Sequence, residues 1–187
     1  MLAGMDLSCF EKMDSAELRS YLAFLLWHYR VMDSFWFLYV AEEHGQPVAE
    51  HLNERVWGRV SGLAARDLIT RFEIEEEGLE AFVKVLRLYP WTLLIGYQIE
   101  ESPSEVVLTV PCCATQEARR RRGLTEYVCA EMHREEFLGI AAQVDARIQV
   151  HCDFAPPEER PTGLDCRWRF TLEPVPGENM PTSGNTA

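Results

Sequence analysis

The spacing of apolar residues changes near Pro90, and this change constrains the fold more than any other feature of the chain. Before Pro90, apolar side chains recur every three or four residues, which is the period of a helix with one buried face. After Pro90 they alternate with polar residues, which is the period of a strand with one face exposed to solvent. The sequence therefore predicts an α+β fold, with a helical part over residues 14–90 and a sheet-and-helix part over residues 91–173.

Three helices are predicted in the helical part. The first begins with a capping box at Asp14 and Glu17 and stops at Gly45, a residue that suits the position after a helix. The second runs from Pro47 to about Arg71, and a short third helix fills 78–90. The two long helices each carry one apolar row: Leu18, Leu22, Leu25, Tyr29, Met32, Trp36 and Tyr39, then Val48, Leu52, Val56, Val60 and Leu63.

Four strands are predicted in the second part. Alternation over 93–99 and 106–110 indicates a first hairpin, and alternation over 147–154 and 165–173 indicates a second. A helix over 126–144 is expected to cover the apolar face of the resulting four-stranded antiparallel sheet. In the second hairpin, Cys152 opposite Cys166 is the register that satisfies the whole apolar face, with the two Cβ atoms about 4.5–5.5 Å apart.

Length and composition predict one α+β domain over residues 1–173, followed by a disordered tail over 174–187 that offers almost no apolar surface. The net charge of −12 repels phosphate backbones and anionic lipid, which disfavours nucleic-acid and membrane partners. No apolar run is long enough to span a membrane, and no signal peptide is visible. We therefore expect a cytoplasmic protein whose six cysteines are reduced.

Cysteine and histidine side chains are predicted to meet under the sheet. On a helical wheel Cys129 and His133 fall in the same sector as Phe137, and strand alternation sends Cys152 and Cys166 to the apolar face. Thiolates and imidazole are ligands that zinc prefers, so Cys129, His133, Cys152 and Cys166 form a candidate metal set. The alternatives are plain core residues, because free cysteine packs as a small hydrophobe, and a small-ligand pocket or reactive thiol.

Two further features bear on chemistry. Cys112 and Cys113 are neighbours and point to opposite faces of a strand; alternation from Val110 turns Cys112 inward, unless Pro111 ends the strand first. Asp33 lies on an apolar helical stretch, where a carboxylate either joins a hydrogen-bond network or has a raised pKa suited to acid–base work. No nucleophile elbow, phosphate-binding glycine loop or dinucleotide fingerprint is present.

Four segments carry a resemblance to a known family: HYRVMDSFWF (28–37), VWGRV (56–60), CATQEARRRRGLTEYVCAEMH (113–133) and VHCDFAPPEERPTGLDCRWRF (150–170). They resemble an uncharacterised family of prokaryotic cytosolic proteins, which is itself similar to aminothiazoline-carboxylate hydrolase-like and vinyl-reductase-like small-molecule-binding domains. The resemblance implies a sensor-like second half and an inward Cys113. Position by position it implicates Asp33, Trp36, Trp57, Cys113, Gln116, Arg119, Cys129, His133, Cys152 and Trp168.

Three functions remain open on the sequence. The first is a cytosolic small-molecule-binding protein, with or without zinc, whose ligand contacts Trp36, Trp57, Gln116, Arg119 and Trp168. The second is a hydrolase of a small carboxylate-bearing ring or amide. In that hydrolase Cys113 or Cys129 is the nucleophile, His133 the base and Arg119 the carboxylate clamp, with Asp33 as a further catalytic candidate. The third is a structural dimerisation domain, that is, a homo-oligomer.

Overall fold

A computed structural model describes residues 4–173, so the predicted tail over 174–187 lies outside the described residues. The chain divides into two compact units, residues 1–49 and residues 50 onward. The prediction of one domain over 1–173 stays a prediction. The elements, in chain order, are α1 (Ser15–His44), α2 (Gln46–Arg71), α3 (Gly78–Leu88), α4 (Pro90–Ile95), β1 (Gln98–Glu101), β2 (Glu105–Val110), α5 (Ala114–Arg121), α6 (Ala130–Val144), β3 (Ile148–Phe154) and β4 (Cys166–Leu172).

Helix α1 has the predicted ends. The Asp14 side chain accepts hydrogen bonds from the backbone N–H groups of Ala16 and Glu17, and the Glu17 carboxylate accepts one from the Asp14 N–H. Gly45 follows the helix with φ at +87°, a conformation that favours glycine. However, none of the 30 residues of α1, all of which the structure describes, is buried.

Residues 50–71 of α2 pack against α6 through small side chains. Ser61 and Ala65 are fully buried, and a Cβ added at Gly62 would lie 3.2 Å from the carbonyl oxygen of Gly139 in α6. A Cβ at Gly139 would collide with Ser61 Oγ and lie 2.9 Å from the carbonyl oxygen of Gly58. The apolar row of α2 points elsewhere: Leu52, Val56, Val60 and Leu63 are exposed.

The close approach of these helices predicts that Gly139→Ala destabilises the fold. Replacing glycine with alanine inside a helix normally stabilises the protein by up to about 1 kcal/mol. Here we expect the free energy of unfolding to fall by about 1–3 kcal/mol, because the new methyl group overpacks the contact between α2 and α6. Urea unfolding checks this. In a Ser61→Ala background the cost of Gly139→Ala should be smaller, since the colliding hydroxyl is gone, and a stabilised Gly139→Ala protein would contradict this packing.

The sheet has the order β1-β2-β4-β3, with every neighbouring pair antiparallel. The predicted α+β class with a four-stranded antiparallel sheet is therefore confirmed. The first strand is shorter than predicted, because residues 90–95 form helix α4. Pro90 suits the first turn of a helix, and Gly96 closes it in the left-handed conformation.

The predicted pairing of Cys152 with Cys166 is wrong. Cys152 lies opposite Trp168, and Cys166 lies opposite Val110 of β2. The register of the second hairpin is shifted by two residues, which leaves Ile148, Val150 and Cys152 on their predicted face. An irregularity between Cys152 and Phe154 then shifts the pairing again and places Phe154 opposite Arg167. The Asp165 N–H donates to the Val110 carbonyl oxygen at 2.8 Å, which fixes the start of β4 against β2 instead.

The core of the second unit lies between the inner face of the sheet and helices α3 and α6. Trp168 and Phe170 of β4 form edge-to-face contacts with Phe137 of α6, with ring centroids 5.2 and 5.1 Å apart. Phe82 of α3 packs on Phe170 at 4.7 Å. On the outer face, Arg169 donates to Asp153 at 2.7 Å, as expected of a sheet with one wet side.

Candidate functional site

Cys129, His133 and Glu136 lie on one face at the start of α6. Cys129 is the residue that precedes the helix, and its carbonyl oxygen accepts the His133 N–H at 3.0 Å. Cys129 is 5% exposed and Glu136 1% exposed, while the His133 side chain retains 18% exposure. The prediction that Cys129 and His133 are both largely buried on the sheet-facing side of one helix is confirmed.

The imidazole of His133 connects the thiol and the carboxylate. Its Nδ1 donates to Glu136 Oε2 at 2.7 Å. Burial alone would lower the pKa of His133, but hydrogen bonding with Cys129 and Glu136 and their negative charge outweigh burial and raise this pKa to about 10. At neutral pH the site therefore holds an imidazolium between the sulfur of Cys129 and the carboxyl group of Glu136.

Glu136 leaves one oxygen without a partner. Oε2 binds His133, but the buried Oε1 has no hydrogen-bond partner among residues 4–173. A buried acceptor left unsatisfied costs about 1–3 kcal/mol, and more when it is charged. Sequence reasoning missed Glu136, although it lies seven residues after Cys129 and thus only about 20° from it on the helical wheel.

Gln116 of α5 holds the Cys129 thiol in place. Its side-chain Nε2 donates to the Tyr127 carbonyl oxygen at 2.7 Å, and its Oε1 accepts the Tyr127 N–H at 3.0 Å. The same Nε2 lies 3.7 Å from Cys129 Sγ, within donor range of sulfur. Asn53 of α2 anchors the Tyr127 hydroxyl at 2.7 Å. The fully buried Gln116 therefore acts on the thiol both directly and through the backbone that leads to it.

Two aromatic side chains pack against His133. The His133 ring stacks on Phe137 with centroids 5.8 Å apart and meets the edge of Trp168 at 6.2 Å. Trp168 is 1% exposed. Of the predicted ligand-binding residues, the structure thus brings Gln116 and Trp168 to Cys129 and His133.

Other ionisable groups surround the site and stay neutral. Burial raises the pKa of the Cys113 and Cys166 thiols, and the charge of Cys129 raises both further. Burial also raises the pKa of Tyr97 well above its usual value, with the charge of Glu136 as the next cause. Cys113 is half-buried and Cys112 is exposed. The inward Cys112 favoured by alternation is therefore wrong, because β2 ends at Val110 and Pro111 breaks the pattern.

The candidate metal set is not assembled. Among the described residues, no group of three or more His, Cys, Asp or Glu side chains is arranged to hold a metal ion. Cys152 sits on β3 opposite Trp168, and burial raises the pKa of its thiol to about 11. The zinc expectation for Cys129, His133, Cys152 and Cys166 has no support from residues 4–173.

Trp57 and Arg119, the remaining predicted residues of the second unit, have partners other than the thiol. Asp33 and Trp36 belong to α1 in the first unit, and Trp36 is 73% exposed. Trp57 of α2 is buried against Trp91, with centroids 5.4 Å apart. Arg119 is buried, and its Nε donates to the Thr125 carbonyl oxygen at 2.7 Å, so it stabilises the loop between α5 and α6.

A cleft of about 320 Å³ opens beside Arg120 and Arg160. These guanidinium groups already bind carboxylates: both pair with Glu126 and Asp165. Asp165 also accepts the Cys113 N–H at 2.6 Å. The ion pairs beside the cleft therefore link α5 and the loop after it to the start of β4, and they leave both arginines paired with carboxylates. The candidate site of the second unit is therefore the group Cys129, His133 and Glu136.

Comparison with known proteins identifies the family. Residues 17–172 match the Family of unknown function (DUF6125). The match covers most of the chain, and the protein belongs to this family. No curated protein matches the chain. No helix within residues 4–173 is long and apolar enough to cross a membrane.

Proposed function

We propose that residues 50–173 form a small-molecule-binding domain whose ligand contacts Cys129, His133 and Glu136. The observation that carries the proposal is the buried Glu136 Oε1, which lacks a hydrogen-bond donor in the described part of the chain. A ligand that donates a hydrogen bond to this oxygen removes the cost of leaving it unsatisfied. The proposal agrees with the resemblance of residues 113–133 and 150–170 to small-molecule-binding domains, and it keeps the cytoplasmic location predicted from composition.

The surroundings of Glu136 define the chemistry of the ligand. The rings of Trp168 and Phe137 pack against His133, which binds Glu136, so we expect the body of the ligand to be apolar or aromatic. The imidazolium of His133 already balances the charge of Glu136, which favours a neutral ligand with an N–H or O–H group. His133 provides the entry, since its side chain is the accessible member of the three.

Fragment binding tests this proposal. A panel of small lactams and aromatic amides is titrated into isotope-labelled protein, alongside the same fragments with their N–H methylated. We expect N–H fragments to shift the resonances of His133 and Trp168, methylated fragments to bind at least about tenfold more weakly, and Glu136→Gln to lose the preference. Glu135→Gln, the same change at an exposed neighbour, should retain it. Equal binding of both sets, or no shift at these residues, contradicts the proposal.

A thiol-dependent hydrolase is the second candidate, and the hydrogen-bonded order of thiol, imidazole and carboxylate favours it. Cys129 Sγ attacks a carbonyl carbon as the thiolate of an ion pair with the His133 imidazolium, which donates its proton to the leaving group as the bond from that group to the carbonyl carbon breaks. Water then attacks the thioester, gives a proton to His133 and releases the acyl group as an acid, which restores the thiolate–imidazolium pair. Of the two predicted cysteines, Cys129 is the candidate nucleophile, because its side chain is the one that hydrogen-bonds His133. Mass-spectrometric mapping of iodoacetamide labelling tests it: Cys129 should label faster than Cys113 and slow down in His133→Gln.

A further inference from the structure

Helix α1 exposes more apolar surface than a helix of a monomer can leave in water. Nine of its large apolar side chains are 38–73% exposed: Leu18, Leu22, Phe24, Leu25, Trp27, Met32, Phe35, Trp36 and Tyr39. A helix that is apolar over most of its circumference is normally buried. An exposed apolar surface of this kind is typical of an interaction site.

One row of apolar side chains on α1 has the spacing that is typical of two helices packed side by side along their length. The row Leu18, Leu22, Leu25, Tyr29, Met32, Trp36 and Tyr39 alternates steps of four and three residues. This 4-3 alternation is the heptad pattern whose apolar positions insert between the side chains of a facing helix. It runs for three heptads, and the 30 residues of α1 give a helix about 45 Å long.

We propose that a second copy of this chain covers the apolar row of α1, so that the protein is a homodimer built on this helix. A half-exposed large apolar side chain offers about 100 Å², so the six exposed side chains of the row (Leu18, Leu22, Leu25, Met32, Trp36 and Tyr39) offer about 600 Å² per chain. The smallest stable interfaces bury about 1,200 Å² in total, that is, about 600 Å² per partner, so the row reaches the area that a dimer needs.

The charges of α1 favour a protein partner, and in particular an identical one. Helices that lie on membranes carry Lys and Arg on their polar face, but α1 has two arginines against four acidic residues, and the whole chain has a net charge of −12. Arg19 lies near the start of α1, and Glu42 and Glu43 lie near its end. Two copies packed antiparallel place Arg19 of each copy near Glu42 and Glu43 of the other, whereas parallel packing brings the four carboxylates of Glu42 and Glu43 together.

Sedimentation equilibrium over a wide range of protein concentrations tests the proposal. Wild-type protein should sediment at twice the 21.5 kDa of the chain. Leu25→Glu with Trp36→Glu, both on the row, should weaken the dimer roughly hundredfold or more. The matched control is Ser20→Glu with Ser34→Glu, which adds the same two charges on the opposite side of α1 and should remain dimeric. Because no residue of α1 is buried, the thermal unfolding of residues 50–173 should report intact folding in both variants.

Three results would overturn the proposal. Wild-type protein that is monomeric at every concentration shows that no second copy covers α1. A dimer that survives both substitutions on the row lies at another surface. The third is binding of wild-type protein to vesicles of phosphatidylcholine and phosphatidylglycerol that is lost in the row variant, which would show that a lipid surface covers the helix.

Discussion

Replacing Glu136 with glutamine is expected to lower the free energy of unfolding at pH 7 by about 3–5 kcal/mol, the range seen when one partner of a buried charge pair is removed. The change leaves the protonated imidazole of His133 without the carboxylate that binds its Nδ1 at 2.7 Å. Urea unfolding measures the loss. Glu135→Gln is the matched control, because this neighbour is exposed and its replacement should change stability by less than about 0.5 kcal/mol.

The same pair predicts how stability depends on pH. The pKa of His133 rises from its ordinary value of 6.5 to about 10 in the folded protein. Protonated His133 therefore contributes its full stabilisation below about pH 6.5, and this contribution is lost as the pH rises through 10. Wild-type stability should fall by about 3 kcal/mol between pH 7 and 10, and Glu136→Gln should flatten this decline. Identical pH dependence in the two proteins would contradict the coupling.

Trp168→Ala is expected to cost about 3–5 kcal/mol, as large-to-small changes at buried aromatic residues do. Trp168 is 1% exposed and contacts both His133 and Phe137, so its loss opens a cavity beside the candidate site as well as in the core. Trp27→Ala provides the comparison, because Trp27 is 51% exposed and lies on the side of α1 away from the 4-3 row. Its replacement should cost less than about 1 kcal/mol. Similar losses in both variants would contradict the assigned core.

The fold class follows from the sequence because the local signals agree. The capping box at Asp14 and the glycine at position 45 predict the two ends of α1, and both ends lie where expected. Period-2 alternation predicts correctly which face of β3 and β4 is buried, with Val150 and Trp168 inside. Faces and helix ends are local properties, so a single chain is enough to predict them.

Register and burial between elements are different. Side chains repeat their face every two residues, so a shift of two residues in the pairing of β3 and β4 changes no face, and alternation cannot distinguish the observed register from the predicted one. The start of β4 is held by the hydrogen bond from Asp165 to Val110 of β2, and that contact joins distant parts of the chain. In the same way, the apolar row of α1 has the correct period but does not show which surface covers it.

The sequence predicts two of the three residues of the candidate site. The shared helical sector indicates Cys129 and His133. Glu136 lies at the edge of that sector and carries a charge, which is typical of a solvated residue. Its burial depends on the imidazole beside it and on the sheet above it. A carboxylate within 20° of an inward cysteine and three residues from a histidine was the available signal.

The protonation state of His133 is the most direct test of the claim that Cys129, His133 and Glu136 form one coupled site. We expect ¹⁵N chemical shifts of its ring nitrogens, measured in wild-type protein at pH 8, to be those of an imidazolium with both nitrogens protonated. In Glu136→Gln the same measurement should show a larger neutral fraction, because one source of the raised pKa is gone. A neutral His133 ring in wild-type protein at pH 8 would contradict the account.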